Sequence, residues 1–106
     1  METLTSIFVD LRYRTDSYGN SYSAALIWID GQPRHITSLY YGANHGYQEA
    51  AKWLEQQGYV NLHGYYAIVG AQRQLREQGI AMYVAESQMN KRRLDAWIQY
   101  YSELKD

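Results

Sequence analysis

The stretch that decides the fold is Ser6–Arg14 (SIFVDLRYR), whose β-branched and aromatic residues predict a β-strand near the N-terminus. Alternation along a strand places its odd-numbered apolar residues on one face and Phe8, Asp10 and Arg12 on the other. A carboxylate within an apolar strand is costly to bury without a partner or a metal ion. Two interpretations of Asp10 follow: an ion pair with an arginine such as Arg12, or a place in a metal site.

The composition favours one small globular domain. The chain has 106 residues, a length that predicts a single domain over residues 1–106. Its net charge is −1, and it has no cysteine, which agrees with a cytosolic protein. No run approaches the roughly 20 apolar residues that span a bilayer, and the N-terminus does not resemble a signal peptide. We therefore expect a cytoplasmic protein without a membrane partner. The near-neutral charge argues against strong, salt-driven binding of nucleic acid by the whole surface, but leaves a local basic patch open.

Two further strands follow the first. Ser21–Asp30 has a continuously apolar interior, which is typical of a strand that is covered on both faces. Asp30-Gly31 is a strong hairpin signal, and Pro33–Tyr41 is the third predicted strand, with its proline at the start, where a missing N–H is tolerated. These three strands are predicted to form an antiparallel meander.

Helices and strands are predicted to alternate over the rest of the chain. They are a first helix over about Tyr47–Gln57, a fourth strand over Tyr65–Gly70, a second helix over Ala71–Gln78, a fifth strand over Ile80–Ala85 and a last helix over Ser87–Leu104. Periodicity leaves a second interpretation of Tyr65–Gly70 open, a backward extension of the second helix. The order β-β-β-α-β-α-β-α predicts an α/β fold with a five-stranded mixed sheet, because helical crossovers usually join parallel strands.

This order resembles the ribonuclease H-like family, which carries an acid on its first strand and a glutamate early in its first helix. Asp10 and Glu49 match those positions, and Asn90–Asp95 (NKRRLD) is similar to the family's Asn-x-Arg segment ahead of its last acid, with one residue more before Asp95. The sequence also differs from the family's pattern at two positions. Gly70 occupies the position of the aspartate that ends the family's fourth strand, and Leu11 replaces the glycine after the first aspartate.

The resemblance implies a metal-dependent nuclease in which Asp10, Glu49 and Asp95 are the catalytic and metal-binding residues. Carboxylates of this kind hold Mg²⁺ or Mn²⁺, which activates water and stabilises the leaving oxygen. Gly70 removes one ligand, so a two-ion site is disfavoured. The residues alone allow a plainer interpretation, in which Glu49 lies on the flank of a helix and Asp95 pairs with a basic residue one turn away, such as Lys91.

The surface is predicted to be rich in tyrosine, because twelve tyrosines cannot all be buried in so small a core. Tyrosine is enriched at protein interfaces and also stacks on unpaired bases. The residues expected to form a nucleic-acid or partner surface are Arg73, Arg76, Lys91, Arg92, Arg93 and Tyr41. Two functions fit these patterns. One is a domain that binds or acts on nucleic acid, as a degenerate metal-dependent nuclease if it cleaves. The other is a catalytically silent protein-binding module or inhibitor with a Tyr-rich surface, which includes binding to its own copies.

Overall fold

The computed structural model describes residues 5–103. In this part of the chain it contains five strands and three helices. They are β1 (Ser6–Thr15), β2 (Ser21–Ile29), β3 (Gln32–Ile36), β4 (Tyr40–Tyr41), α1 (His45–Gln56), α2 (Ile68–Glu77), β5 (Ala81–Gln88) and α3 (Lys91–Ser102). No helix among these residues is long and apolar enough to cross a membrane.

The five strands form one mixed sheet. Its order is β3-β2-β1-β5, and the short β4 also pairs with β2. β2 runs antiparallel to β1, β3 and β4, whereas β5 runs parallel to β1. The prediction of an α/β fold with a five-stranded mixed sheet is therefore confirmed, although the strands are not all the ones expected.

Helices cover both faces of the sheet. The odd-numbered residues of β1, such as Ile7 and Val9, are fully buried in a cluster with α1 and α2. Leu26 of β2 belongs to a second cluster with Leu94 and Trp97 of α3 on the opposite face. Because β2 is covered on both sides, its interior is continuously buried, as its unbroken apolar run predicted.

The hairpin between β2 and β3 has the predicted turn. Asp30 and Gly31 both have positive φ, 49° and 81°, as a type I′ turn requires. The Asp30 carboxylate also accepts hydrogen bonds from the Thr5 hydroxyl (2.7 Å) and from the backbone N–H groups of Thr5 (2.9 Å) and Ser6 (2.8 Å). These bonds, first the one from the Thr5 hydroxyl, lower the pKa of Asp30, and they attach the start of β1 to the turn.

The third predicted strand, Pro33–Tyr41, is divided in two. The Thr37 hydroxyl accepts the backbone N–H of Ala25 (3.0 Å) and donates to the Ser38 carbonyl (3.0 Å). Because a side chain takes the place of a backbone group in this pairing, β3 ends at Ile36. Pairing with β2 resumes only at Tyr40.

The prediction of a fourth strand over Tyr65–Gly70 is wrong. The other interpretation, a second helix that extends backward into this segment, is closer, because α2 begins at Ile68. Ala71 and Leu75 are fully buried and Ile68 is half-buried, a helical spacing. The observed order is β-β-β-β-α-α-β-α, not β-β-β-α-β-α-β-α.

The boundary between the last strand and the last helix lies farther along the chain than predicted. β5 continues to Gln88, so Ser87 lies in the strand and not in the last helix. α3 begins at Lys91, after Asn90, whose side chain accepts the backbone N–H of Arg93 (2.9 Å). Asn90 therefore caps α3.

The start of α1 lies directly against the sheet. Gly46 is buried, and its N–H donates to the hydroxyl of the buried Ser23 (2.9 Å), which in turn donates to the Gly42 carbonyl (2.7 Å). A Cβ added to Gly46 would lie 3.1 Å from the carbonyl carbon of Ala24. A glycine lets the helix approach this closely without displacing a neighbour, and this contact helps to set where α1 presents its other side chains.

Candidate functional site

Asp10 lies in an ion pair on the α3 face of the sheet. Its carboxylate accepts from Nη2 (3.0 Å) and Nε (3.2 Å) of Arg12, and the Arg12 guanidinium lies 4.5 Å above the ring of Trp97. The Asp10 side chain is only 14% exposed, so the arginine offsets the cost of burying its charge. The ion-pair interpretation of Asp10 is confirmed.

The other two predicted metal ligands lie elsewhere. Glu49 is on α1, across the sheet from α3, and its Oε2 lies 3.3 Å from Nε2 of His45. Asp95 is on the exposed side of α3, 3.5 Å from Nζ of Lys91, as the plainer interpretation of the sequence predicted. Among residues 5–103 no group of three or more His, Cys, Asp or Glu residues could hold a metal ion. The structure therefore does not bring Asp10, Glu49 and Asp95 together.

The predicted basic surface is divided between the two faces of the sheet. Arg73 and Arg76 are exposed on α2, whereas the exposed basic residues 91–93 begin α3 on the opposite face. Tyr41 is 67% exposed on β4 and donates its hydroxyl to the Asn20 side chain (3.0 Å). These residues do not form one continuous patch.

A different concave surface lies on the α1 and α2 side of the sheet. It is an open groove of about 650 Å³ between the start of α1, the segment before α2 and the end of β5. We call it the tyrosine groove. It is lined by Asn44, Tyr47, Gln48, Gly64, Tyr65, Tyr66, Ala67, Ile68, Val69 and Glu86.

Two phenols in this groove donate to carboxylates. The Tyr47 hydroxyl donates to Glu86 Oε1 (3.2 Å), and burial together with the Glu86 charge raises the pKa of Tyr47 to about 12. The Tyr66 hydroxyl donates to Glu55 Oε1 (3.2 Å), and burial and this bond raise the pKa of Tyr66. Both phenols therefore stay neutral at physiological pH, and both carboxylates have a neutral donor beside them.

The outer side of β5 is an open sheet edge. The N–H groups of Ala81 and Met89 donate to β1 or its flank, to the carbonyls of Thr5 and Tyr13. In a parallel pair the N–H and C=O of one residue point the same way and alternate along the strand. The even-numbered residues of β5 therefore point these groups away from β1, and no other described strand pairs with them.

Part of this edge is already covered. The Gln72 side chain of α2 donates to the Met82 carbonyl (2.9 Å), which closes one outward acceptor at the start of β5. The outward backbone groups of Val84 and Glu86 lie farther along, where the strand reaches the tyrosine groove. We call the outward side of Val84–Glu86 the open edge.

Exposed apolar side chains surround the open edge. Tyr65 is 80% exposed and Val69 63% exposed, both in the groove, and Val84 is 38% exposed. Val84 is the register partner of Val9, so its side chain lies on the same face of the sheet as the groove. Tyr83, on the other face, is 63% exposed. Together the groove and the open edge form the candidate site.

Few sequence features pointed to this site. Tyr65 is one of the twelve tyrosines, not all of which were expected in the core, and Glu86 directly follows the predicted fifth strand. Val69 and Val84 looked like core residues, because each lies in an apolar run. Val84 is exposed because β5 ends the sheet, and Val69 because it lies on α2 away from the helix's buried residues Ala71 and Leu75.

No protein-family model, curated protein or solved structure matches this chain. The molecule is thus described by its own geometry, as a mixed α/β domain with a tyrosine groove beside an open sheet edge. The ribonuclease H-like resemblance stays a prediction.

Proposed function

We propose that this chain is a protein-binding module that accepts an extended segment of its partner along the open edge of β5. The observation that carries the proposal is the position of the open edge, where the outward backbone groups of Val84 and Glu86 adjoin the tyrosine groove.

The backbone of the open edge offers unpaired hydrogen-bonding groups to a partner. Unpaired N–H and C=O groups at a sheet edge are a template for another strand, and many domains bind peptides in this way. Soluble proteins usually protect such edges with charges, prolines or covering elements. Here Gln72 covers the Met82 carbonyl. Among the described residues, the edge beside the groove has no proline and no covering element, and its one charged residue is Glu86.

The side chains supply the second half of the argument. Tyrosine contributes a large apolar surface and a hydrogen-bonding group, and it is enriched at protein interfaces. Tyr65 and Val69 expose most of their surface next to the open edge. A bound strand would cover these side chains while its backbone pairs with β5, so affinity and selectivity would come from the same contact.

The alternative of a nucleic-acid-binding domain or nuclease, with Mg²⁺ or Mn²⁺, remains a prediction. It receives less support, because the carboxylates and the basic residues predicted for it are distributed over both faces of the sheet.

The test is a selection of displayed random peptides on the whole protein, followed by affinity measurements with the enriched peptides. Val84→Pro removes one outward N–H and leaves the bonds to β1 in place, which an edge strand tolerates. We expect at least tenfold weaker binding for Val84→Pro and for Tyr65→Ala. Tyr18→Ala is the matched control, because Tyr18 is 89% exposed in a turn outside the groove.

Circular dichroism and urea unfolding of each variant establish that the fold is retained. Failure to enrich any peptide, or equal affinities for the wild type, Val84→Pro and Tyr65→Ala, would overturn the proposal.

A further inference from the structure

We infer that the tyrosine groove takes a cationic side chain of the bound segment, the ammonium of a lysine or the guanidinium of an arginine. This inference rests on the proposed function and specifies the chemistry of the partner.

The charge that lines the groove is negative. Among the described residues that line it, Glu86 is the only carboxylate, and none is a lysine or an arginine. Glu55 lies behind the groove wall, where it accepts from the Tyr66 hydroxyl, and Glu49 also acts on Tyr66 electrostatically. The groove is therefore complementary to a positive charge.

The phenols add acceptors and aromatic faces. Tyr47 and its acceptor Glu86 both line the groove. Since Tyr47 uses its proton to bond Glu86, its oxygen atom keeps lone pairs for a donor that enters the groove. An ammonium brings three donors and a guanidinium brings five. A cation above a tyrosine ring is also attracted by the ring itself, and Tyr65 offers an exposed ring at the same site.

The geometry of strand pairing would place a side chain of the bound segment at the tyrosine groove. Val84 and Glu86 lie on the groove face of the sheet, in register with Val9 and Leu11. A strand that pairs with the open edge turns every second side chain to that same face. One of these side chains would therefore be directed to the groove beside Glu86.

A first experiment tests the charge preference without a partner. Backbone NMR spectra of the ¹⁵N-labelled protein are recorded with n-butylammonium chloride and, separately, with 1-butanol, which has the same alkyl chain and no charge. We expect saturable shifts of groove amides with butylammonium, at least fivefold weaker binding to Glu86→Gln, and no saturation with butanol. Glu77→Gln is the matched control, since Glu77 is an exposed acid of α2 outside the groove.

Equal effects of butylammonium and butanol, or no shifts at the groove with either, would overturn the inference. So would unchanged binding of butylammonium to Glu86→Gln.

A second experiment separates this inference from the proposed function. Displayed peptides are chosen whose binding is weakened by Val84→Pro. Each lysine or arginine in them is replaced by norleucine, and we expect one such replacement to weaken binding at least fivefold. If every such peptide tolerates the replacement, the cationic preference is refuted while edge binding stands. If Val84→Pro weakens the binding of no peptide, the proposed function fails, whatever the NMR spectra with butylammonium show.

Discussion

Gly46→Ala is predicted to destabilise the fold. The added Cβ would lie 3.0 Å from Leu11 Cδ1 and 3.1 Å from the carbonyl carbon of Ala24. The leucine side chain can shift. The backbone of β2 resists a shift, because Ala24 pairs with Arg12 of β1 and the adjacent Ala25 is hydrogen-bonded to Thr37 on the other side. Overpacking of this kind costs about 1–3 kcal/mol, against which alanine gains up to about 1 kcal/mol over glycine in a helix.

Gly70→Ala is the matched control, because Gly70 also lies in the first turn of a helix. A Cβ there would have only Leu62 Cδ2 within contact, at an ordinary 3.5 Å, so the helical gain is not opposed. In urea unfolding we expect the free energy of unfolding of Gly46→Ala to be about 1–3 kcal/mol below that of Gly70→Ala. In a thermal melt each kcal/mol corresponds to about 4–8 °C.

Equal stability of the two variants would refute the close packing of α1 on the sheet, and with it the placement of the α1 side of the groove. A value for Gly70→Ala well below the wild type would instead show that the helix start at Ile68 is misplaced.

Three further predictions concern hydrogen bonds. Ser23→Ala leaves the buried N–H of Gly46 and the partly buried carbonyl of Gly42 without their partner, so urea unfolding should show a loss of about 1–3 kcal/mol, and a loss under 0.5 kcal/mol would contradict these bonds. The pKa of Asp30 is lowered in the folded state, chiefly by the Thr5 hydroxyl, so its stabilisation is present above about pH 4 and is lost on further acidification. The stability difference between wild type and Asp30→Asn should therefore shrink below pH 4, and a difference independent of pH would argue against these bonds. Because the folded pKa of Tyr47 is about 12 and the unfolded value about 10, the stability of the wild type should fall between pH 10 and 12 more steeply than that of Tyr47→Phe, and parallel pH profiles would contradict the bond to Glu86.

The sequence predicted correctly those parts of the fold that depend on residues close together along the chain. The Asp30-Gly31 turn, the alternation in β1 and the doubly buried β2 are all confirmed, because each depends on a few neighbouring residues. The Tyr65–Gly70 segment depends on something remote. It has strand-forming residues, but the place beside β1 is occupied by β5. Residues 65–67 therefore join no strand, and Ile68 begins α2.

The candidate site was less predictable than the fold. The Asp10 pair with Arg12 was foreseen, because the two residues share a face of one strand. The tyrosine groove combines α1, the segment before α2 and β5, so no spacing along the chain reports it. Whether an apolar residue such as Val84 is core or surface depends on which strand ends the sheet, and a hydrophobic pattern does not contain that information.

The parallel pairing of β1 with β5 also determines when the molecule can finish folding. Ser6 is aligned with Ala81 and Tyr13 with Gln88, so the central strand β1 waits for a neighbour that is synthesised much later. The β1–β3 meander forms from local contacts, but long-range parallel pairing is slow because a large loop must close first. During translation the apolar strand β1 therefore stays open along one side, a state that is prone to aggregate. This exposure of β1 lasts until β5 has left the ribosome and pairs with it.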